Sequence, residues 1–186
     1  MNNVLISQNK HWEKRYENLY KREVFEKLVK NLSLKHIQVL QGIRRSGKSS
    51  LFKLLINELC LNTDPMEILY INLDDPFFMK YSNEPTGFYE IIQTAKKLTQ
   101  KNIKYLFLDE VQAINGWEKF VKSVYDSEEF IKIFITGSNS SLLNSQFATL
   151  LSGRYISTKV YPLSFSEILE INGIDNFLKL NKELPK

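Results

Sequence analysis

The sequence has one cysteine, two histidines and no long hydrophobic run. Cys60 alone cannot form an intrachain disulfide, and neither histidine has partners at metal-ligand spacing, so no metal cluster is indicated. No stretch reaches the roughly 18 apolar residues that a membrane span requires, so we expect no membrane partner. The first residues lack the charged and apolar regions of a secretory signal. These absences favour a cytoplasmic location for the protein.

The net charge of +4 is concentrated in one segment. Residues 10–35 carry eight basic and four acidic side chains, whereas the rest of the 186-residue chain has 17 of each. The same segment contains several aromatic rings, those of His11, Trp12, Tyr16 and Tyr20. Such a segment either contacts nucleic acid or forms a solvated helix with Glu23–Lys27 and Glu26–Lys30 pairs. The small size of the excess charge favours the solvated helix.

A phosphate-binding loop pattern lies early in the chain. Residues 42–49 read Gly-Ile-Arg-Arg-Ser-Gly-Lys-Ser, after an apolar strand predicted at 37–41 and before a helix predicted at 50–59. This arrangement directs backbone N–H groups and the positive end of the helix dipole into one concavity, which suits a nucleotide phosphate. Lys48 is expected to bind the β- and γ-phosphates, and the Ser49 hydroxyl is expected to bind Mg²⁺. The predicted nucleotide contacts are Gly42, Arg45, Ser46, Gly47, Lys48, Ser49 and Ser50.

The rest of the chain alternates predicted strands with predicted helices. Largely apolar runs predict strands at residues 68–73, 105–108 and 131–135, and an alternating pattern predicts a last strand at 155–160. Helical periodicity predicts helices at residues 20–32, 87–98, 117–125, 142–150 and 164–171. This alternation is typical of an α/β fold with a largely parallel sheet of about five strands between helices. Ligands of such sheets bind beyond the carboxyl ends of the strands.

Two carboxylates directly follow the strand predicted at residues 105–108. At a strand tip, Asp109 is suited to hold the hydration shell of Mg²⁺, and Glu110 is suited to orient and polarise an attacking water. An acidic turn after a strand is common by itself, but together with the phosphate loop it predicts nucleotide hydrolysis. The sequence lacks the Asn-Lys-x-Asp tetrapeptide that recognises guanine, which favours ATP.

Four ordered segments resemble one group of AAA-superfamily P-loop ATPases, archaeal and bacterial proteins usually followed by a C-terminal domain of unknown function. After the phosphate loop come Leu-Phe-Leu-Asp-Glu-Val-Gln, Ile-Thr-Gly-Ser-Asn-Ser, and Leu-Ser-Gly-Arg-Tyr followed by Tyr-Pro-Leu-Ser-Phe-Ser-Glu. The resemblance runs from about Arg22 to about Leu169. It implies a P-loop NTPase fold with an additional strand between the two motif strands, and it implies ATP and Mg²⁺ as ligands.

The resemblance also implies two further catalytic residues. In this group, the polar residue that ends the strand after the Asp-Glu strand senses the γ-phosphate, and Ser138 matches it, with Asn139 second. The alternative there is a turn whose polar groups satisfy one another. Arg154 matches the group's Gly-Arg and would stabilise transition-state charge, in cis or from a neighbouring subunit. The alternative is an arginine at a strand start that binds a surface carboxylate.

We interpret residues 1–186 as one ATPase domain with three parts. These are a basic helical N-terminal extension at 1–35, a nucleotide-binding core at 36–161 and the start of a C-terminal helical region at 162–186. Proteins of the resembling group normally continue into a helical lid and a second domain. We therefore expect a second sensor arginine to be missing here, which puts robust turnover and ring assembly in question.

Three functions are compatible with these motifs. The first is Mg-dependent binding and hydrolysis of ATP, coupled to a conformational change or to a DNA or protein partner, with or without assembly into a homo-oligomer. The second is a nucleotide-operated binding module, for example for DNA, that hydrolyses little by itself. The third is a small-molecule kinase, which ranks last because the sequence shows no pocket for an acceptor substrate.

Overall fold

The computed structural model describes residues 1–137 and 145–173. Their strands are β1 (Ile37–Gln41), β2 (Ile68–Asn72), β3 (Tyr105–Asp109), β4 (Lys132–Gly137) and β5 (Tyr155–Lys159). They form one sheet in the order β2-β3-β4-β1-β5, and every neighbouring pair is parallel. The predicted α/β fold with a five-stranded parallel sheet is confirmed. The additional strand between the two motif strands, β1 and β3, is β4.

Seven α-helices accompany these strands within the described residues. They are α1 (Asn2–Gln8), α2 (Val24–Lys30), α3 (Lys48–Leu59), α4 (Gly87–Thr99), α5 (Trp117–Asp126), α6 (Ser145–Leu150) and α7 (Phe165–Ile171). Short 3₁₀ helices are found at Lys10–Trp12, Asn31–Ser33, Pro65–Glu67, Pro76–Tyr81 and Val111–Ala113. None of these helices combines the length and the apolar character that crossing a bilayer requires.

The helix predicted at residues 20–32 begins later in the structure than the sequence indicates. The chain becomes helical only at Val24, and residues 13–23 form turns and irregular structure. The reason is tertiary, because the Arg22 side chain is bound to distant carbonyl and carboxylate groups that fix the path of the backbone. Part of the connection between β2 and α4 is the 3₁₀ helix Pro76–Tyr81.

Hydrophobic side chains cover both faces of the sheet, which explains the nearly continuous apolar sequence of its strands. On one face, Phe107 of β3 and Phe134 of β4 stack with ring centroids 4.0 Å apart, and Phe52 of α3 packs edge-on against Phe107. On the other face, Leu106 and Leu108 belong to a core cluster shared with α1, α4 and α5. Because side chains alternate along a strand, consecutive residues of a strand belong to the hydrophobic clusters on opposite faces of the sheet.

The N-terminal segment covers the edge strand β2. The Asn9 side-chain amide accepts from the Tyr70 N–H at 2.7 Å and donates to the Tyr70 carbonyl at 2.9 Å. The Gln8 side chain similarly accepts from the Asn72 N–H at 2.9 Å. Side-chain amides therefore take the place of a neighbouring strand and satisfy backbone groups that an exposed edge would leave unpaired.

The aromatic residues of the basic segment also serve this attachment. The Trp12 indole N–H donates to the Ile68 carbonyl at 2.9 Å, and the His11 ring nitrogen lies 3.1 Å from the same oxygen. Glu26, expected to pair with Lys30, forms its ion pair with Lys21 at 2.7 Å. Residues 1–23, which we call the N-terminal strap, are thus anchored at β2. The solvated helix that the sequence favoured is confined to α2, where Glu26, Lys27 and Lys30 are exposed.

Candidate functional site

The loop between β1 and α3 depends on two glycines for different reasons. Gly47 has φ +93°, in the left-handed region that favours glycine, and it lies directly before the first turn of α3. A Cβ on Gly42 would lie 2.3 Å from the Val160 carbonyl oxygen and 2.7 Å from the Ser46 hydroxyl oxygen. The end of β5 therefore approaches the loop too closely for any side chain at Gly42. Both glycines keep the loop backbone open towards the start of α3.

Lys48 lies at the centre of this loop and is almost fully buried. Its Nζ donates to the carbonyl oxygens of Gly42 at 3.1 Å and Ile43 at 3.2 Å. The same Nζ lies 3.4 Å from Oε1 of Glu110, and the Lys48 side chain is only 3% exposed. The phosphate loop and the acidic pair, far apart in sequence, therefore meet at the carboxyl edge of the sheet.

Asp109 is held by hydroxyl groups from the two neighbouring strands. The Tyr70 hydroxyl of β2 donates to Oδ2 at 2.7 Å, and the Thr136 hydroxyl of β4 donates to Oδ1. The Ser49 side chain also lies close enough to the Tyr70 hydroxyl to interact with it. Hydroxyl and carboxylate oxygens from the loop and from β3 thus converge on one point. Such oxygens are the ligands that Mg²⁺ prefers, so the residues fit a magnesium site.

The Tyr70 hydroxyl is a permanent donor in this arrangement. Burial, together with the negative charge of Asp109, raises the pKa of Tyr70 well above its usual value. The phenol therefore stays protonated throughout the physiological range. Its proton fixes the orientation of the Asp109 carboxylate.

Glu110 adopts a backbone conformation that is uncommon for a residue with a side chain. Its φ is +56°, and its N–H donates to the Thr136 hydroxyl oxygen at 3.0 Å. One carboxylate oxygen faces Lys48, and the other accepts from the Gln112 side-chain amide at 2.6 Å. A left-handed non-glycine residue costs about 1–3 kcal/mol, and such residues cluster at functional sites. The turn directs the Glu110 carboxylate towards the phosphate loop.

Thr136 is a site residue that the sequence analysis missed. It contacts both members of the acidic pair, whereas we chose Ser138, with Asn139 second, from the same short segment. Ser138 and Asn139 lie outside the described residues, so their γ-phosphate role stays a prediction. The sequence signal that could have identified Thr136 is a hydroxyl residue at the end of an otherwise apolar strand next to β3.

Arg154 is not brought together with Lys48 in this chain. It precedes β5 at the amino edge of the sheet, where its backbone carbonyl accepts from the Ile37 N–H at 2.8 Å. Its side chain donates to Asp126 at 2.8 Å. About six residues of strand, roughly 20 Å, separate this edge from the phosphate loop. The geometry therefore matches the surface-carboxylate alternative and corrects the expectation of a role in cis.

A pocket of about 310 Å³ adjoins the phosphate loop. The loop side is formed by Arg45, Ser46, Gly47 and Ser50, all four of which we predicted as nucleotide contacts. The opposite side is formed by Leu19, Tyr20, Leu163 and Ile171. Within the described residues, the buried Ser46 hydroxyl has no hydrogen-bond partner. The pocket thus combines a polar loop with an apolar wall.

Arg22 connects the phosphate loop to the C-terminal helix α7, a function that the sequence did not reveal. Its guanidinium donates to the Ser46 carbonyl at 2.8 Å, the Tyr161 carbonyl at 2.9 Å and both carboxylate oxygens of Glu167 at 2.9 Å. The Arg22 and Glu167 side chains are 10% and 8% exposed. The Arg22 guanidinium holds the pKa of Glu167 below its usual range. Any displacement of the loop backbone is therefore transmitted to α7.

A family model described as an AAA domain matches residues 34–169. An uncharacterized protein of Haemophilus influenzae is 37% identical over 160 residues, covering 86% of this chain and 39% of that protein. An uncharacterized protein of Methanocaldococcus jannaschii is 35% identical over 154 residues, covering 83% of this chain and 32% of that protein. The chain therefore spans about two fifths or less of the length of these relatives.

Among solved structures, that of C. elegans PCH-2 is similar with a TM-score of 0.55. The similarity covers 96% of this chain and 53% of the other, at 13% sequence identity. At this identity the comparison concerns the fold alone. It supports the overall α/β fold described above.

Proposed function

The chain belongs to the AAA domain family, and on that premise we propose that it binds ATP with Mg²⁺ and hydrolyses it. Lys48 would contact the β- and γ-phosphates, and Ser49 and Asp109 would hold the metal ion. When bound, Mg²⁺ would neutralise charge on the phosphate oxygens. Glu110 would orient and polarise the attacking water. Ser138 would sense the γ-phosphate from the segment that follows β4.

One observation carries this proposal, namely the contact between the phosphate loop and the acidic pair. The Lys48 ammonium lies 3.4 Å from Glu110, and Asp109 accepts from the Tyr70 hydroxyl, which the Ser49 side chain approaches. A cation, a metal-binding hydroxyl and two carboxylates are the groups that phosphoryl transfer to water requires. Their mounting on strand ends supports rigid positioning, on which this reaction chiefly depends.

The pocket beside the loop supports a nucleotide as the ligand. Its apolar wall, which includes Leu19, Tyr20 and Leu163, is suited to the faces of a purine ring. Its polar side lies at the start of α3, where backbone N–H groups attract phosphate. Arg45, Ser46 and Ser50 would then contact the ligand between its base and its phosphates. The sequence preference for ATP over GTP stays a prediction.

The Arg22 connection supports coupling of nucleotide state to a conformational change. A phosphate bound at the loop would act on the Ser46 carbonyl, which Arg22 joins to Glu167. Helix α7 exposes Phe165 and Ile168, which a protein partner could cover. We extend the proposal to a second domain after α7, to a partner, and to a homo-oligomer in which Arg154 acts in trans. We also propose the boundaries given above for the N-terminal extension, the core and the C-terminal region.

The test uses two substitutions and a matched control. Lys48→Ala is expected to abolish binding of ATP, because it removes the cation that meets the phosphates. Glu110→Gln is expected to bind ATP normally and to hydrolyse it about 10²- to 10⁴-fold more slowly, the usual range for loss of a general base. Lys27→Ala, an exposed lysine of α2, should change neither quantity. Isothermal titration with a non-hydrolysable ATP analogue and a phosphate-release assay measure the two effects.

Wild-type turnover in Glu110→Gln would show that Glu110 does not prepare the water. ATP binding unchanged in Lys48→Ala would remove the loop from the site altogether. Release of a phosphorylated acceptor instead of free phosphate would indicate a kinase.

The second candidate function, a nucleotide-operated binding module with slow turnover, is favoured by the contacts of Glu110. Both of its carboxylate oxygens are engaged, one near Lys48 and one by the Gln112 amide. A carboxylate held in this way is a poor acceptor for a proton from water. Equal, very slow phosphate release by the wild type and by Glu110→Gln, with ATP bound tightly by both, would support this alternative.

A further inference from the structure

A second pocket, which we call the basic pocket, lies beside the candidate nucleotide site. It has a volume of about 390 Å³ and is bounded by the N-terminal strap, by α3 and by the carboxyl end of β2. Four cationic side chains line it, and Glu17 is the carboxylate among its described lining residues. The four cations are Lys10, Lys14, Arg15 and Lys53.

The backbone around the basic pocket is fixed by specific contacts. The Tyr16 N–H donates to the Asn57 side chain at 3.0 Å, and the Asn57 amide donates to the Tyr16 carbonyl at 2.8 Å. The Tyr16 hydroxyl also donates to the Gln8 carbonyl at 3.0 Å. These bonds join the strap to α3, so the cations surround a preformed concavity. A preformed site loses less entropy when a ligand binds.

Most cations of the basic pocket are not neutralised by a carboxylate in the part of the chain that the structure describes. Within the described residues, Lys10, Arg15 and Lys53 form no ion pair with a carboxylate, and the Lys14–Glu17 pair is long at 3.9 Å and well exposed. Some other surface lysines do have close carboxylate partners, among them Lys35, Lys96, Lys101 and Lys104. Several unneutralised cations around one concavity attract a ligand with several negative charges.

The shape of the basic pocket and the contacts of Tyr16 indicate which class of ligand the pocket would bind. The Tyr16 ring contacts the Lys53 ammonium at 5.6 Å and the His11 ring at 5.7 Å, so part of the ring surface is already covered within the protein. Recognition would therefore be of phosphate groups and independent of base sequence. A concavity of this volume accepts a flexible strand more readily than a rigid duplex, whose major groove alone is about 12 Å wide.

We propose that the basic pocket binds backbone phosphates of a single-stranded nucleic acid. Its wall includes Tyr70, whose hydroxyl donates to Asp109, and Lys53 lies one helical turn after Ser49 on α3. The strand would thus bind next to the candidate nucleotide site. The binding itself does not depend on ATP hydrolysis, so the proposal stands or falls separately from the proposed function.

The experiment measures binding of a fluorescently labelled single-stranded oligonucleotide, roughly 12 nucleotides long, by anisotropy over a salt series. If the pocket contacts three or four phosphates, log affinity should fall with log salt with a slope of about −2 to −3. The variant Lys10→Gln/Lys14→Gln/Arg15→Gln/Lys53→Gln should abolish most of this slope and weaken binding at least about tenfold at low salt. A control removes the same charge from the same region, with Gln at Lys21, Lys27, Lys30 and Lys35. It should keep the wild-type slope.

Four outcomes would overturn the proposal. One is absence of binding at low salt, and another is an equal loss in both variants, which would indicate diffuse attraction to a basic segment. A duplex of the same sequence that binds as tightly would exclude selectivity for single strands. Inorganic tripolyphosphate that competes equally well per phosphate would assign the pocket to free phosphate compounds. Urea unfolding of both variants verifies that each is folded.

Discussion

The connection between the phosphate loop and α7 can be tested by Arg22→Met. Methionine keeps much of the aliphatic length of the side chain but removes every hydrogen bond that the guanidinium makes. The substitution leaves the Glu167 carboxylate, 8% exposed, without its cation. It also leaves the Ser46 and Tyr161 carbonyl oxygens without this donor.

The expected cost follows from the burial of this ion pair. Removing one partner of a buried pair typically costs about 3–5 kcal/mol, because the remaining charge stays desolvated. We expect the lower end of this range because two hydrogen bonds remain. Glu167 still accepts from the Ser164 N–H at 2.9 Å, and the Ser164 side chain still caps α7. We therefore expect a loss of about 3 kcal/mol in the free energy of unfolding. With a urea m-value of about 2 kcal/mol/M, the midpoint should fall by roughly 1.5 M.

Urea unfolding followed by circular dichroism at pH 7 measures this shift. Lys21→Met is the matched control, because the neighbouring Lys21–Glu26 pair is largely exposed, is screened by solvent and should contribute little to stability. Since Arg22 lowers the pKa of Glu167, the stabilisation is present above about pH 4.5 and is lost as the pH falls through the lowered pKa. The difference between wild type and Arg22→Met should therefore shrink in acid. A midpoint shift no larger than that of Lys21→Met would refute the reasoning.

Three further predictions concern the site and the strap. Thr136→Val should reduce ATP turnover or raise the Mg²⁺ requirement by about 10- to 100-fold, because it removes hydrogen bonds that orient the acidic pair; a metal titration of phosphate release measures this, and an unchanged profile would contradict it. Burial lowers the pKa of His11 to about 4, so the protein should lose up to about 3 kcal/mol of stability as the pH falls from about 6.5 to 4, and His11→Gln should flatten this dependence in urea unfolding at several pH values. Asn9→Ala should cost about 1–3 kcal/mol by leaving Tyr70 backbone groups unpaired, whereas the exposed Asn3→Ala should be nearly neutral in the same assay.

The fold was largely predictable because its signals are local. Four of the five strands are short, largely apolar runs, β5 alternates, and all five lie within two residues of the predicted bounds. Helices α4 and α5 follow clear apolar periodicity after Gly87 and Gly116. Such patterns survive because burial on both faces of the sheet imposes them residue by residue.

The start of α2 and the shape of residues 1–23 were not predictable in this way. Gln8 and Asn9 are ordinary polar residues in the sequence, and only the folded chain places their amides against the backbone of β2. Arg22 similarly follows from no local pattern, because its partners Ser46 and Glu167 lie far along the chain. Long-range contacts override local propensity wherever a side chain is anchored at a distance.

The sequence by itself determined the parallel α/β architecture, the phosphate loop with its glycines, and the acidic pair after β3. These features depend on residue type at fixed spacing, which the chain carries without folding. Only the tertiary structure decided that Lys48 meets Glu110, that Tyr70 and Thr136 hold Asp109, and that Arg154 lies at the opposite edge of the sheet. The physical reason is that strand order and register bring distant residues to the same edge, and neither is encoded by any single segment.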